Sequence, residues 1–184
     1  MFAKAVFLLA LASGLRVSQL AALTRHQSLT CFEVGDAAVS LAPSPTFLAK
    51  NERVGHRLGP VRVPAWLVEG VHHALCPVAA LRRYLSLSPG DHERLWVFPG
   101  SLRICNAWDL SKVICGVIKE AVPGSSPRAN QVRSCASSLV FLRSFDLSVV
   151  LESGQWASIR SFVTRYLAPH IGDVPCVAMG ALPN

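Results

Sequence analysis

The chain has 184 residues, long enough for one domain with a real core, and its 18 Lys and Arg against 11 Asp and Glu give a formal charge of +7. That basic balance favours a polyanionic partner, with nucleic acid the natural candidate. Six cysteines scattered without a C-x-x-C pair or Cys/His ligand spacing argue against structural zinc, and the first apolar run, residues 5–12, is too short to span a membrane.

From Phe2 to Thr24 the apolar positions recur at helical spacing, with Leu8, Leu11, Leu15, Leu20 and Leu23 on overlapping faces. Gly14 interrupts the pattern, and Ser13 or Ser18 is available near a helix start. The first fourteen residues also carry the lysine, apolar run and small residues of a signal peptide, but the helical pattern continues through Gly14-Leu15-Arg16 into VSQLAALTR and argues against cleavage.

Residues 30–63 change to β character. CFEVG, AVSLA, TFLAK and PVRVP are short β-rich runs separated by turn signals, which predicts a small antiparallel sheet. Pro77 then starts a helix over PVAALRRYLSL, with Ala80, Leu81, Tyr84 and Leu85 inward and Arg82 and Arg83 outward. RLWVFPG reads as a strand. WDLSKVICGVIKEAV reads as an amphipathic helix capped by Asp109 or Ser111, with Val113, Val117 and Ala121 along its stripe. His72, His73 and His92 lack the spacing or acidic neighbours of a metal site and read as surface residues.

The loop VPGSSPRA ends in a helix start near Ala129, which puts Asn130 and Arg133 on one face at the helix N-terminus, where N–H groups and the dipole favour a phosphate. Asp146 and Ser158 are expected to cap two further short helices, with Tyr166 at the end of the last. Everything after Ala168 lacks periodicity and reads as a tail. Five of the six cysteines sit beside apolar residues as buried free thiols do, and no N-x-S/T sequon occurs, so a reducing compartment is expected.

The stretch RANQVRSCASSLVFLRSFDLSVVLESGQWASIRSFVTRYL places Arg133, Trp156 and Tyr166 at intervals of 23 and 10 residues. With Arg16 inside ASGLRVSQLAAL, this order resembles the catalytic domain of tyrosine recombinases, and QWASIRSFVTRYL looks most like the DIRS-type and Crypton-type recombinases of eukaryotic mobile elements, retrotransposons among them. The resemblance implies an α+β, mainly helical fold with a small antiparallel sheet over residues 1–168, without the family's N-terminal core-binding domain, followed by the tail 169–184. It implies DNA cleavage and rejoining in the nucleus, with duplex DNA as partner, self-association on that DNA, no membrane and no cofactor or metal.

Under the resemblance, Tyr166 attacks the scissile phosphate to form a 3′-phosphotyrosyl bond, and Arg16 and Arg133 grip the non-bridging oxygens. Lys50, matching the lysine of the family's hairpin, protonates the 5′ oxygen, and Trp156 donates its indole N–H or buttresses the tyrosine. Two positions depart from the family. Asn130 stands where its box has histidine, which could forfeit an acid/base contribution of about 10² to 10⁴, and Gln19 stands where a glutamate would pair with Arg16. The alternatives are a DNA-binding remnant without catalysis and, if residues 1–13 are removed, a small secreted disulfide protein.

Overall fold

The computed structural model of the chain describes residues 1–50, 52, 59–88, 90, 92–101, 103–153 and 163. Its first helix, α1 (Phe2–Ser13), is apolar on nearly every side and is accordingly the central element, burying Phe2, Ala5, Val6, Leu8, Leu9 and Ala10. Around it pack α3 (Pro77–Leu87), α4 (Ala107–Ala121), α5 (Asn130–Ser144) and the sheet. Near the N-terminus of α1, the rings of Phe2, Tyr84, Trp96 and Phe98 cluster with centroids 5.2–6.2 Å apart. Trp96, fully buried, satisfies its indole N–H on the Leu20 carbonyl at 2.9 Å.

The break at Gly14 forms as expected. Gly14 adopts φ 59° and ψ 13°, a left-handed conformation that costs glycine little, and its N–H donates to the Ala10 carbonyl at 3.1 Å. The Ser13 hydroxyl donates to the Leu9 carbonyl and accepts the Leu15 N–H, tying the turn to α1. The short helix α2 (Val17–Ala21) follows and packs on α4.

Strands β1 (Thr30–Phe32), β2 (Ala38–Leu41) and β3 (Val61–Pro64) form an antiparallel sheet in the order β1-β2-β3, with Thr30 opposite Leu41 and Ala38 opposite Pro64. Val39, Leu41 and Val63 are buried. The β1–β2 turn is held from outside. The Asp36 carboxylate pairs with Arg82 of α3, Glu33 pairs bidentately with Arg62 of β3 at 2.6 and 2.7 Å, and the Arg82 guanidinium lies over the Phe32 ring.

The expected strand over TFLAK does not form. Pro43 and Pro45 offer no N–H to a ladder, and the amide of Ser44 between them donates to the Ala22 carbonyl at 2.9 Å, so the chain leaves the sheet for α2. The expected strand in RLWVFPG is reduced to single bridges, Thr24 to Arg94 and Val97 to Ile104. Its backbone is shared between two separate neighbours, so neither pairing extends into a ladder. In contrast, β4 (Leu67–Val68) and β5 (Val71–His72) make a hairpin absent from the sequence reading. Its two turn residues, Glu69 and Gly70, both have positive φ, 51° and 79°, the conformation of a tight hairpin turn whose usual first residue is Asn or Asp.

Helix α4 is capped by Asn106, rather than by Asp109 or Ser111. The Asn106 Oδ1 accepts the N–H groups of Trp108 and Asp109, while the Asp109 carboxylate accepts the Asn106 N–H, a reciprocal box one turn ahead of the expected start. The inward stripe shifts with it. Leu110 and Ile114 are buried, whereas Val113 and Val117 are half-buried and Ala121 is exposed. Asp109 is also gripped by Arg103 at 3.0 Å, and that guanidinium holds its carboxyl below the usual range. Helix α6 (Leu147–Ser153) begins as expected on Asp146, whose Oδ1 accepts the Ser148 N–H and hydroxyl.

The five cysteines among the described residues are free thiols. The burial expected for them holds for Cys76 and Cys105, not for the exposed Cys31 and Cys135, which sit on solvent-facing positions of β1 and α5. Burial pushes the Cys105 thiol up to about 11. Because α1 is the centre of the core and these thiols are unpaired, a disulfide framework built without residues 1–13 has no support here. No described helix is long and apolar enough to cross a membrane, and no group of three or more His, Cys, Asp or Glu among the described residues could hold a metal ion.

Candidate active site

Two of the predicted residues are brought to one corner of the molecule by the packing of α1 against α5. Arg133, one turn into α5, points inward and is only 4% exposed. Its Nη1 donates to the carbonyl oxygen of Gly14 at 2.6 Å, across 119 residues of sequence. This is a short, charge-assisted bond to an acceptor that the end of α1 leaves without a helical partner. Gly14 lies two residues before Arg16, so the Arg133 guanidinium is bonded to the turn that carries the other predicted arginine.

Arg16 occupies the N-cap position of α2 with φ −66° and ψ 149°, and is half-buried. Its backbone N–H donates to Oε1 of Gln19 at 3.0 Å. Gln19, buried at 1% exposure, thus offers its side-chain carbonyl to the main chain of Arg16. The amide at this position holds the backbone from which the guanidinium extends. A glutamate there could do the same and add charge.

Asn130 is the first residue of α5, three positions ahead of Arg133, and is exposed at the helix end. Just before it, the Arg128 N–H donates to Oε1 of Gln131 at 2.7 Å, so the chain entering α5 is stapled to its first turn. The 15-residue helix presents its N-terminal N–H groups and the positive end of its dipole beside Asn130. A cavity of about 60 Å³ lies further along α5, away from Asn130, between Ser13 and Gly14 of the α1 end and Ala136, Ser137 and Val140.

Lys50 is placed differently. It is exposed on the connection between β2 and β3, within the turn that Ala49 and Glu52 close by bonds of 2.7 and 2.8 Å, and not at the end of a strand. Trp156, Ser158, Tyr166 and the tail 169–184 lie outside the described residues.

The corner thus combines two guanidinium-bearing residues with the N-terminus of a long helix. Planar guanidinium donors match the oxygens of a phosphate bidentately, and a helix N-terminus adds N–H donors and positive potential, so this arrangement is suited to holding a phosphodiester. The sequence reading missed Gly14 as an acceptor. Its only local signal was the helix break itself.

No protein-family model matches the chain, and no curated protein matches it. Solved structures do. The chain is similar to XerA recombinase, with a TM-score of 0.61 and 14% identity over 96% of this chain and 59% of that one. It is also similar to the Tn1549 transposon integrase in complex with circular intermediate DNA, at TM-score 0.57 and 13% identity over 88% of this chain and 52% of that one. A second structure of that integrase, bound to transposon right-end DNA, matches at TM-score 0.55 and 13% identity. The chain spans between about half and three-fifths of these proteins. At such identity the likeness establishes the fold, that of a tyrosine recombinase catalytic domain.

Proposed function

We propose that this chain is the catalytic part of a tyrosine recombinase, cleaving and rejoining duplex DNA through a 3′-phosphotyrosyl bond at Tyr166. The observation that carries this reading is the Arg133 to Gly14 bond of 2.6 Å, which joins Arg133 to the turn that carries Arg16 within the recombinase fold. In this reading Arg16 and Arg133 neutralise the non-bridging oxygens as negative charge grows in the transition state. Lys50 delivers a proton to the leaving 5′ oxygen, Trp156 donates to the phosphate, and Tyr166 stores the bond energy for rejoining. Every step uses a side chain of the protein. The wording around Trp156 and Tyr166 supports a eukaryotic mobile-element recombinase, retrotransposon-borne, working in the nucleus and self-associating on its DNA.

The test is covalent capture on a nicked suicide duplex. Wild-type protein is expected to form an adduct, Tyr166→Phe to bind DNA and form none, and Asn130→His to accelerate adduct formation roughly tenfold or more by restoring a proton-transfer group. DNA binding should weaken with salt, each phosphate contact adding about 0.9 to the log–log slope. A second reading, a DNA-binding remnant, is favoured by Asn130, since asparagine bonds a phosphate oxygen but carries no proton at neutral pH. If neither wild-type nor Asn130→His yields an adduct on a verified element-end duplex, the remnant reading replaces the first.

A further inference from the structure

We propose that Gly14 is a positioning residue for Arg133: its left-handed conformation aims its carbonyl at the guanidinium, setting the direction from which the arginine meets the phosphate. This inference rests on the function proposed above and assigns a role to Gly14, whose bond that reading took only as a sign that the two arginines share one corner. With φ 59° and ψ 13°, Gly14 turns its peptide plane out of the α1 ladder, and the carbonyl so exposed accepts Arg133 Nη1 at 2.6 Å. A guanidinium is a rigid plane, so one short bond at a terminal nitrogen constrains the direction of its remaining donors. Arg133 is 4% exposed and lies along the wall made by α1, which limits the alternative orientations open to it. The same turn leads within two residues to Arg16, so one backbone conformation governs the supports of both arginines.

The geometry separates this role from mere space-filling. A Cβ built at Gly14 would meet nothing within 4 Å, so a side chain there is limited by backbone conformation and not by crowding. Asparagine tolerates the left-handed region; valine, branched at Cβ, does not and would swing the carbonyl away. Gly35 provides the control. It has nearly the same conformation, φ 67° and ψ 18°, also with nothing within 4 Å of a built Cβ, but sits in the β1–β2 turn.

The experiment compares adduct formation on a suicide duplex at saturating DNA for wild type, Gly14→Val, Gly14→Asn and Gly35→Val. Gly14→Val is expected to react at least about tenfold more slowly than wild type, because a misdirected group is lost from the transition state. Its DNA affinity should change by less than about threefold, since the charge remains. Gly14→Asn should recover most of the rate, and Gly35→Val should lose a comparable part of the thermal midpoint with the rate unchanged. A folded Gly14→Val that reacts as fast as Gly35→Val overturns the proposal. If Gly14→Val does not fold, the milder pair Gly14→Ala and Gly35→Ala is read in the same way.

Should wild type form no adduct, the same variants are compared in the Asn130→His background; should that form none either, the catalytic reading fails by itself, and positioning is decided by the guanidinium proton signals of Arg133 in nitrogen-resolved NMR, identified by their loss in Arg133→Lys. A slowly exchanging signal that disappears in Gly14→Val and persists in Gly35→Val upholds the inference. Persistence in both overturns it.

Discussion

The corner where α1, α2 and α5 meet and the connection between β2 and β3 each carry a predicted cationic site residue, and they hold it in opposite ways. Arg133 is enclosed and bonded to a main-chain carbonyl, whereas Lys50 stands in solvent within a turn between strands. The difference shows which site residues are oriented before any ligand arrives. An enclosed guanidinium has lost its rotamer freedom during folding. An exposed lysine keeps that freedom and has to lose it on the DNA.

The largest effect expected from this contrast is that of Arg133→Ala. Truncation leaves the Gly14 carbonyl buried without its donor, which should cost about 1–3 kcal/mol, measured by denaturant unfolding. If Arg133→Ala is no more destabilising than Lys50→Ala, the contrast breaks down. Next in size is Gln19→Ala, which removes the acceptor for the Arg16 N–H and should cost about 0.5–2 kcal/mol, as lost helix caps do; Gln19→Glu should retain most of the stability, because a carboxylate accepts the same bond.

Acid sharpens the comparison from another side. The carboxyls of Glu33, Asp36 and Asp109 are held below their ordinary range chiefly by hydrogen bonds from Arg62, Arg82 and Arg103. The unfolded chain therefore binds more protons than the folded one. The stabilisation is fully present above the unfolded carboxylate range, near pH 4, and is lost as pH falls through the lowered folded values. Hydrogen exchange should accordingly show the β1–β2 turn and the start of α4 loosening at a higher pH than the Gly14–Arg133 bond, whose partners do not titrate there. Simultaneous loosening of all three would contradict this. The smallest effect belongs to Lys50→Ala, expected within about 0.5 kcal/mol of wild-type stability while adduct formation slows. A substantial loss of stability would mean that Lys50 is held by the fold after all.

The sequence announced much of this frame because several of its signals are local. A glycine inside an apolar helical period marked the α1–α2 break, and the prolines at 123 and 127 delayed α5 to Asn130. Asp146 marked the start of α6 by its side chain alone. Local signals misled where another part of the chain competed for the same groups. TFLAK has strand composition, but the amide of Ser44 goes to Ala22, and the start of α4 is claimed by Asn106 before Asp109 can cap it.

What the sequence by itself determined was the helices α1–α6, the strands β1–β3 and the order of the chemically suited residues along the chain, because periodicity, glycine breaks and caps act over a few positions. Only the tertiary structure decided that Arg133 is enclosed while Lys50 and Asn130 are exposed, and that a carbonyl at the end of α1 meets a guanidinium 119 residues later. Side-chain burial and long-range hydrogen bonds depend on how α1 is surrounded by α3, α4, α5 and the sheet. That arrangement is the outcome of burying one nearly all-apolar helix, and no short window of sequence contains it.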